Sequence, residues 1–103
     1  MKPTIGRIVI YKLNFDDAGE INRRRTNSKS VRERIGRERW PEGAQAHIGA
    51  EALVGEEFPM VIVRVNNPAD VNGQVLLDGN DTLWVKYVKE GPDVGAWHWP
   101  ERV

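Results

Sequence analysis

The chain has 103 residues, no cysteine, and 15 Lys and Arg against 15 Asp and Glu, so its formal net charge at pH 7 is zero. That length fits one domain, residues 1–103, with one modest core, and 40% hydrophobic with 29% charged residues is too apolar for wholesale disorder. The composition excludes a disulfide framework, a thiol nucleophile and a Cys-ligated zinc. No window approaches the ~18 apolar residues of a membrane span, Met1-Lys2-Pro3-Thr4 lacks the apolar region of a signal peptide, and a reducing cytoplasm fits all of this.

Ile5 to Tyr11 is β-branched, bounded by Pro3 and Asn14, and predicts a first strand. Asp17-Ala18-Gly19-Glu20 has capping-box spacing and predicts a short helix to about Arg25. Ser30-Val31-Arg32-Glu33 repeats the signal for a second short helix to about Gly36, with a polar link from Thr26 to Ser30. Trp40-Pro41-Glu42-Gly43 is a stop and a turn, and Ala44 to Ile48 reads as a short strand. Met60 to Val65 is a clear strand, apolar enough for burial on both faces, and Asn66-Asn67-Pro68-Ala69-Asp70 is turn chemistry. Gln74 to Leu77 and Thr82 to Val88 flank Asp78-Gly79-Asn80-Asp81, a hairpin signal. After a loop from Lys89 to Gly95, Ala96 to Trp99 closes the pattern as a short strand. The fold class is mainly β (α+β): a small antiparallel sheet or partly closed SH3-like barrel. A helical, Arg-rich insertion of about residues 15–40 follows its first strand; it either leans on the sheet through Ile21, Val31, Ile35 and Trp40 or stays loosely ordered.

Charge is segregated. Arg23 to Arg39 holds eight of the fifteen basic residues against Glu33 and Glu38, a local +6, and the other residues sum to −6. Guanidinium groups grip phosphate in a bidentate fork and stay charged at all relevant pH. Three consecutive helical positions fan over ~200°, so Arg23, Arg24 and Arg25 cannot converge on one ligand from one helix. They either serve an anion site or form ion pairs with the acidic β half. In Trp97-His98-Trp99-Pro100, alternation places both indoles on one face and His98 on the other. Two such rings either seal a core or form a stacking platform for a base. Counting twelve from Asp78 reaches Lys89, which excludes an EF-hand loop. His47 and His98 share no catalytic spacing with Asp or Glu. There is no phosphate loop and no nucleophile elbow. The reading is of a protein that is not an enzyme and has no cofactor and no metal site.

Pro3 to Val9, Ile21-Asn22-Arg23-Arg24-Arg25-Thr26, Gln45-Ala46-His47-Ile48-Gly49, Asn72 to Asp81 and Trp97-His98-Trp99-Pro100 together resemble a family of small tailed-phage and prophage proteins. The chain has Ile10 before Tyr11 where that family often reads Val-His-Tyr. The resemblance spans nearly the whole chain and implies a phage accessory protein of the host bacterial cytoplasm. Phages commonly encode small non-catalytic proteins that block host defences, some by sequestering cyclic nucleotide signals. The expected function is therefore a counter-defence binding module, often an oligomer, that captures an anionic nucleotide-like ligand through Asn22, Arg23, Arg25, His47, Trp97 and His98. The alternatives are an accessory factor whose basic segment docks a host protein or nucleic acid, and a minor virion protein.

Overall fold

The computed structural model describes residues 2–35 and 49–101. Five strands form one antiparallel sheet: β1 (Ile8–Lys12), β2 (Glu57–Asn67), β3 (Asp70–Leu76), β4 (Thr82–Lys89) and β5 (Trp97–His98), in the order β4-β3-β2-β1-β5. Between β1 and β2 runs helix α1 (Phe15–Ile35). Although β4 and β5 are the two edges, Glu90 bridges Trp97 and the Gly91 amide donates to the Trp97 carbonyl at 2.9 Å. A flat sheet would hold those edges four strands apart. The contact requires the sheet to curl, giving a mainly β half-barrel with the helix after its first strand, as the sequence predicts.

Alternation selects the core. Val9 and Tyr11 of β1, Met60 and Ile62 of β2, Val71 and Val75 of β3, Leu83, Val85 and Val88 of β4 and Trp97 of β5 all point to the concave side, at the period of two that a pleated strand imposes. The long apolar run in β2 is not buried on both faces, contrary to expectation. Met60 and Ile62 are fully buried, whereas Val63 and Arg64 are exposed. The helix packs on the concave side, and the convex side keeps Ile8, Val63, Arg64 and Trp84 exposed. Gly73 lies where the concave side is tightest: an added Cβ would sit 2.5 Å from Met60 Cγ and 2.9 Å from the Val61 carbonyl oxygen. Met60 is itself fully buried and has nowhere to go. Gly73→Ala is expected to cost about 1–3 kcal/mol, measured as a lower urea midpoint, and an unchanged midpoint would refute the packing described.

The two short helices of the sequence reading are one helix of 21 residues. Gly19 is followed by no Gly or Pro before Gly36, so nothing between them forces a break. Its cap is three residues earlier than expected. Asn14 Oδ1 accepts from the Asp17 amide at 2.8 Å and Asp17 Oδ2 accepts from the Asn14 amide at 3.0 Å, a reciprocal capping box with Asn14 as N-cap. Tyr11 donates its hydroxyl to the same Asp17 oxygen at 2.5 Å, tying the cap to β1. Burial, then the hydrogen bond and charge of Asp17, push the Tyr11 phenol far above its ordinary pKa. Asp16 and Asp17 in the first turn also complement the helix dipole.

Ala18 and Ile21 enter the core, and Asn22 and Arg25 continue the stripe at the i, i+3, i+4, i+7 spacing of one helical face. The expected contact through Ile21 is present. Trp40 and the predicted strand at residues 44–48 lie outside the described residues, as do the side chains of Val31 and Ile35. The Asp78 to Asp81 turn joins β3 to β4, with the Gly79 amide donating to the Leu77 carbonyl at 2.9 Å. No helix among the described residues is long and apolar enough to cross a membrane.

Candidate functional site

The arginine triplet diverges as helical geometry requires. Arg23 points to solvent and pairs with Glu20 one turn back. Arg24 reaches the Thr82 carbonyl, with Nη2 donating at 3.1 Å. Arg25 turns inward: Nε donates to Asp81 Oδ2 at 3.2 Å and Nη2 to Asp81 Oδ1 at 2.8 Å. It also donates to the Ala50 and Asp78 carbonyls. The Asp81 side chain is fully buried and that of Arg25 is 10% exposed. Burial raises the Asp81 pKa, but the hydrogen bond and charge of Arg25 outweigh it, and the carboxyl is held below its ordinary range. This fork–fork pair fixes the helix to the β3–β4 turn.

Asn22 is likewise committed. Its amide donates to the Ala52 carbonyl at 2.9 Å and accepts from the Ala52 amide at 2.8 Å, binding the incoming chain to the helix as another strand would. Trp97 is fully buried, donates Nε1–H to the Ala69 carbonyl at 3.1 Å, and meets Trp99 edge-to-face at a centroid separation of 5.4 Å. On Trp99 the Arg7 guanidinium sits 5.3 Å from the ring centroid, within cation–π range. His47 lies outside the described residues.

The structure therefore does not gather the expected contacts into one site. Arg25 is anchored beyond the C-terminal end of β3, at Asp78 and Asp81, and Trp97 beyond its N-terminal end, at Ala69. A seven-residue strand separates those anchors by roughly 20 Å. Asn22, Arg25 and Trp97 hold the scaffold together. Arg23 and His98 are the two expected contacts, among the described residues, that present a substantial part of their side chain to solvent.

His98 borders an open groove of about 450 Å³ lined by Lys12, Glu90, Gly91, Pro92 and His98. Register puts it there: His98 pairs with Ile10 on β1, and Lys12 lies two residues further along that strand, opposite Glu57. Alternation turns Ile10, Lys12 and His98 away from the core. Glu57 lies 3.1 Å from His98 Nε2 through one oxygen and 4.0 Å from Lys12 Nζ through the other. Lys12 Nζ also donates to the Pro92 carbonyl at 2.9 Å. Glu57 at His98 and the Pro92 carbonyl at Lys12 thus hold two nitrogen donors on one wall. An imidazole that donates through Nε2 leaves Nδ1 for a ligand, as an acceptor when neutral and a donor when protonated. Lys12 and Glu57 were not singled out by sequence reasoning, because their proximity depends on strand register rather than on spacing.

A second surface lies on the convex side of the sheet. In register across it run Ile8, Val61, Gln74 and Trp84, and in the next row Arg64 and Asn72. Opposite Asn72, β4 carries two residues, Lys86 and Tyr87, where β3 has one, which is a β-bulge. Tyr87 has φ 56°, a left-handed backbone that a bulky residue rarely adopts. Asn72 holds it there, with Oδ1 accepting from the Tyr87 amide at 2.8 Å. Among the described residues no three His, Asp or Glu gather in a metal-binding group. Compared with family models, curated proteins and solved structures, the chain matches none.

Proposed function

We propose that this is a non-catalytic binding protein that captures an anionic nucleotide-like ligand, and that it is phage-encoded and acts, as an oligomer, against defence signalling in the host bacterial cytoplasm. The phage setting rests on the resemblance carried by the sequence motifs. The observation that supports the ligand class is the Lys12–His98 groove. Its volume falls within the ~300–1,000 Å³ typical of small-molecule sites, and its two nitrogen donors are held by Glu57, at His98, and by the Pro92 carbonyl, at Lys12. Phosphate oxygens displace Glu57 from Lys12 and His98, exchanging one carboxylate for another oxyanion of matched chemistry.

Isothermal calorimetry with a panel of cyclic and linear dinucleotides tests this reading. The expected result is stoichiometric heat without turnover. His98→Ala is expected to weaken binding by about 10- to 100-fold, since a hydrogen bond to a charged group contributes about 1.5–3 kcal/mol. His98 is partly exposed on a two-residue strand, so the fold should persist. Absence of heat with every nucleotide tried would count against the proposal.

A further inference from the structure

We propose that the convex face of the sheet is a second binding surface, for single-stranded nucleic acid, built on Trp84 and Tyr87 with Arg64, Lys86, Lys89 and Gln74. Trp84 is 48% and Tyr87 64% exposed. Exposed aromatic rings gathered on one face of an ordered sheet mark an interaction surface. Tyr87 bears a cost, because its left-handed backbone is normally reserved for glycine. Asn72 is locked for this purpose, its Oδ1 accepting from both the Tyr87 amide and Asn66 Nδ2 at 3.0 Å. The bulge shifts the alternation of β4, so that Lys86 and Tyr87 are both exposed in succession.

The charge on this face favours nucleic acid over an apolar protein partner. Apart from Glu57, which lies at the start of β2 on the same outward side and is turned to Lys12 and His98, no Asp or Glu occurs in residues 58–66, 71–77 or 82–89, whereas Arg64, Lys86 and Lys89 do. These three cations form no ion pair with any described residue. Asp70, opposite Lys89 at the end of the strip, is buried, and its Oδ1 accepts from Asn66 Nδ2 at 3.3 Å. A surface that is basic at its centre within a chain of zero net charge is a local attractor for a polyanion. Rings interleaved with cations give a stacking partner for bases and a track for phosphates. Trp84 and Tyr87 lie three residues apart, within about 10 Å along the strand, so each can take its own base. Gln74 is the register partner of Trp84, and its amide carries both the donor and the acceptor needed at a base edge. Around Trp84 and Tyr87, away from the groove that Glu90, Gly91 and Pro92 line beside Lys12 and His98, the face is convex and open. A polymer that gains by several contacts at once fits it, and a single nucleotide does not.

Fluorescence anisotropy with labelled oligo-dT and oligo-U of about twelve nucleotides, beside a duplex of the same length, tests the proposal; one OB-sized surface covers ~4–16 nucleotides. The expected result is binding of the single strands, with quenching of tryptophan emission. The log affinity should fall with log salt at a slope of about −2, because three cations each contribute about 0.7. Trp84→Ala and Tyr87→Ala should each weaken binding roughly tenfold, and Trp84→Phe should retain most of it. Both side chains are exposed, and an unchanged melting transition would confirm that the variants fold. His98→Ala should leave this binding unaltered, which separates it from the groove. The proposal is overturned by failure of both single strands to bind at low salt, by equal or tighter binding of the duplex, or by affinity indifferent to loss of the two rings. Capture of a protein by this face without single-strand binding overturns it as well.

Discussion

Asp81→Ala is expected to lower the free energy of unfolding by about 3–5 kcal/mol, the usual consequence of removing one partner from a buried ion pair. The carboxylate it deletes is fully buried and receives two of the Arg25 hydrogen bonds. The guanidinium left behind keeps the Ala50 and Asp78 carbonyls but no countercharge. Since a domain of this size has a total stability of roughly 5–15 kcal/mol, the loss is severe. It should be visible as a large drop in the urea midpoint and as faster hydrogen exchange in α1 around Arg25, which fastens that part of the helix to the β3–β4 turn. Replacing both partners, as Arg25→Met with Asp81→Leu, should be much milder than Asp81→Ala alone, because no charge is then stranded. The same pair predicts an acid transition. The folded Asp81 pKa is lowered, so the stabilisation is complete above the unfolded value of about 3.9 and is lost as pH falls through the lower folded value. In the double variant that part of the acid dependence should disappear. A change below about 1 kcal/mol in Asp81→Ala would mean that the pair behaves as a solvent-screened surface contact.

The contrast between strands and helix explains what the sequence could reveal. Strand positions were legible to within a few residues, because β-branched runs alternate with Asp-Gly and Asn-Pro turns; β1 starts at Ile8 rather than Ile5, and β3 at Asp70 rather than Gln74. The capping residue was misread because Asp17 and Asn14 both have N-cap chemistry. The hydroxyl of Tyr11, brought in from β1, favours the arrangement with Asn14 as cap. The role of Asn22 and Arg25 was legible in principle. They continue the Ala18–Ile21 stripe at helical spacing, so a reading of the helix as an amphipathic face places them inward, toward partners in the β half. Reading the triplet for its charge alone made Arg25 a ligand contact instead. The bulge at Tyr87 left no signal, because a left-handed backbone is usually announced by glycine. The Lys12–Glu57–His98 cluster joins three strands far apart in the chain and becomes visible only once register is known.

Trp97→Ala is expected to cost a further 3–5 kcal/mol by leaving a large cavity in the core, and its consequences separate scaffold from site. The indole is fully buried, packs edge-to-face on Trp99, and closes the curl of the sheet by donating to the Ala69 carbonyl. A melting temperature lower by about 25 °C follows from about 4–8 °C per kcal/mol for a domain of this size. β5 consists of Trp97 and His98 alone and is held by two register pairs with β1. Loss of the indole should therefore release the strand and carry His98 away from Glu57, so that nucleotide binding at the groove falls together with stability. Trp97→Phe distinguishes this from direct ligand contact. It keeps most of the buried ring area, and the Ala69 carbonyl still accepts from the Glu90 amide at 3.2 Å, so the loss should be nearer 1 kcal/mol, with affinity retained. If Trp97→Phe abolished binding while the melting transition held, the indole would be touching ligand, and the closed core at β5 would have to open in the bound state. If instead affinity tracks stability across the two variants, Trp97 acts by holding β5 in register, and His98 owes its position to a residue that never meets the ligand.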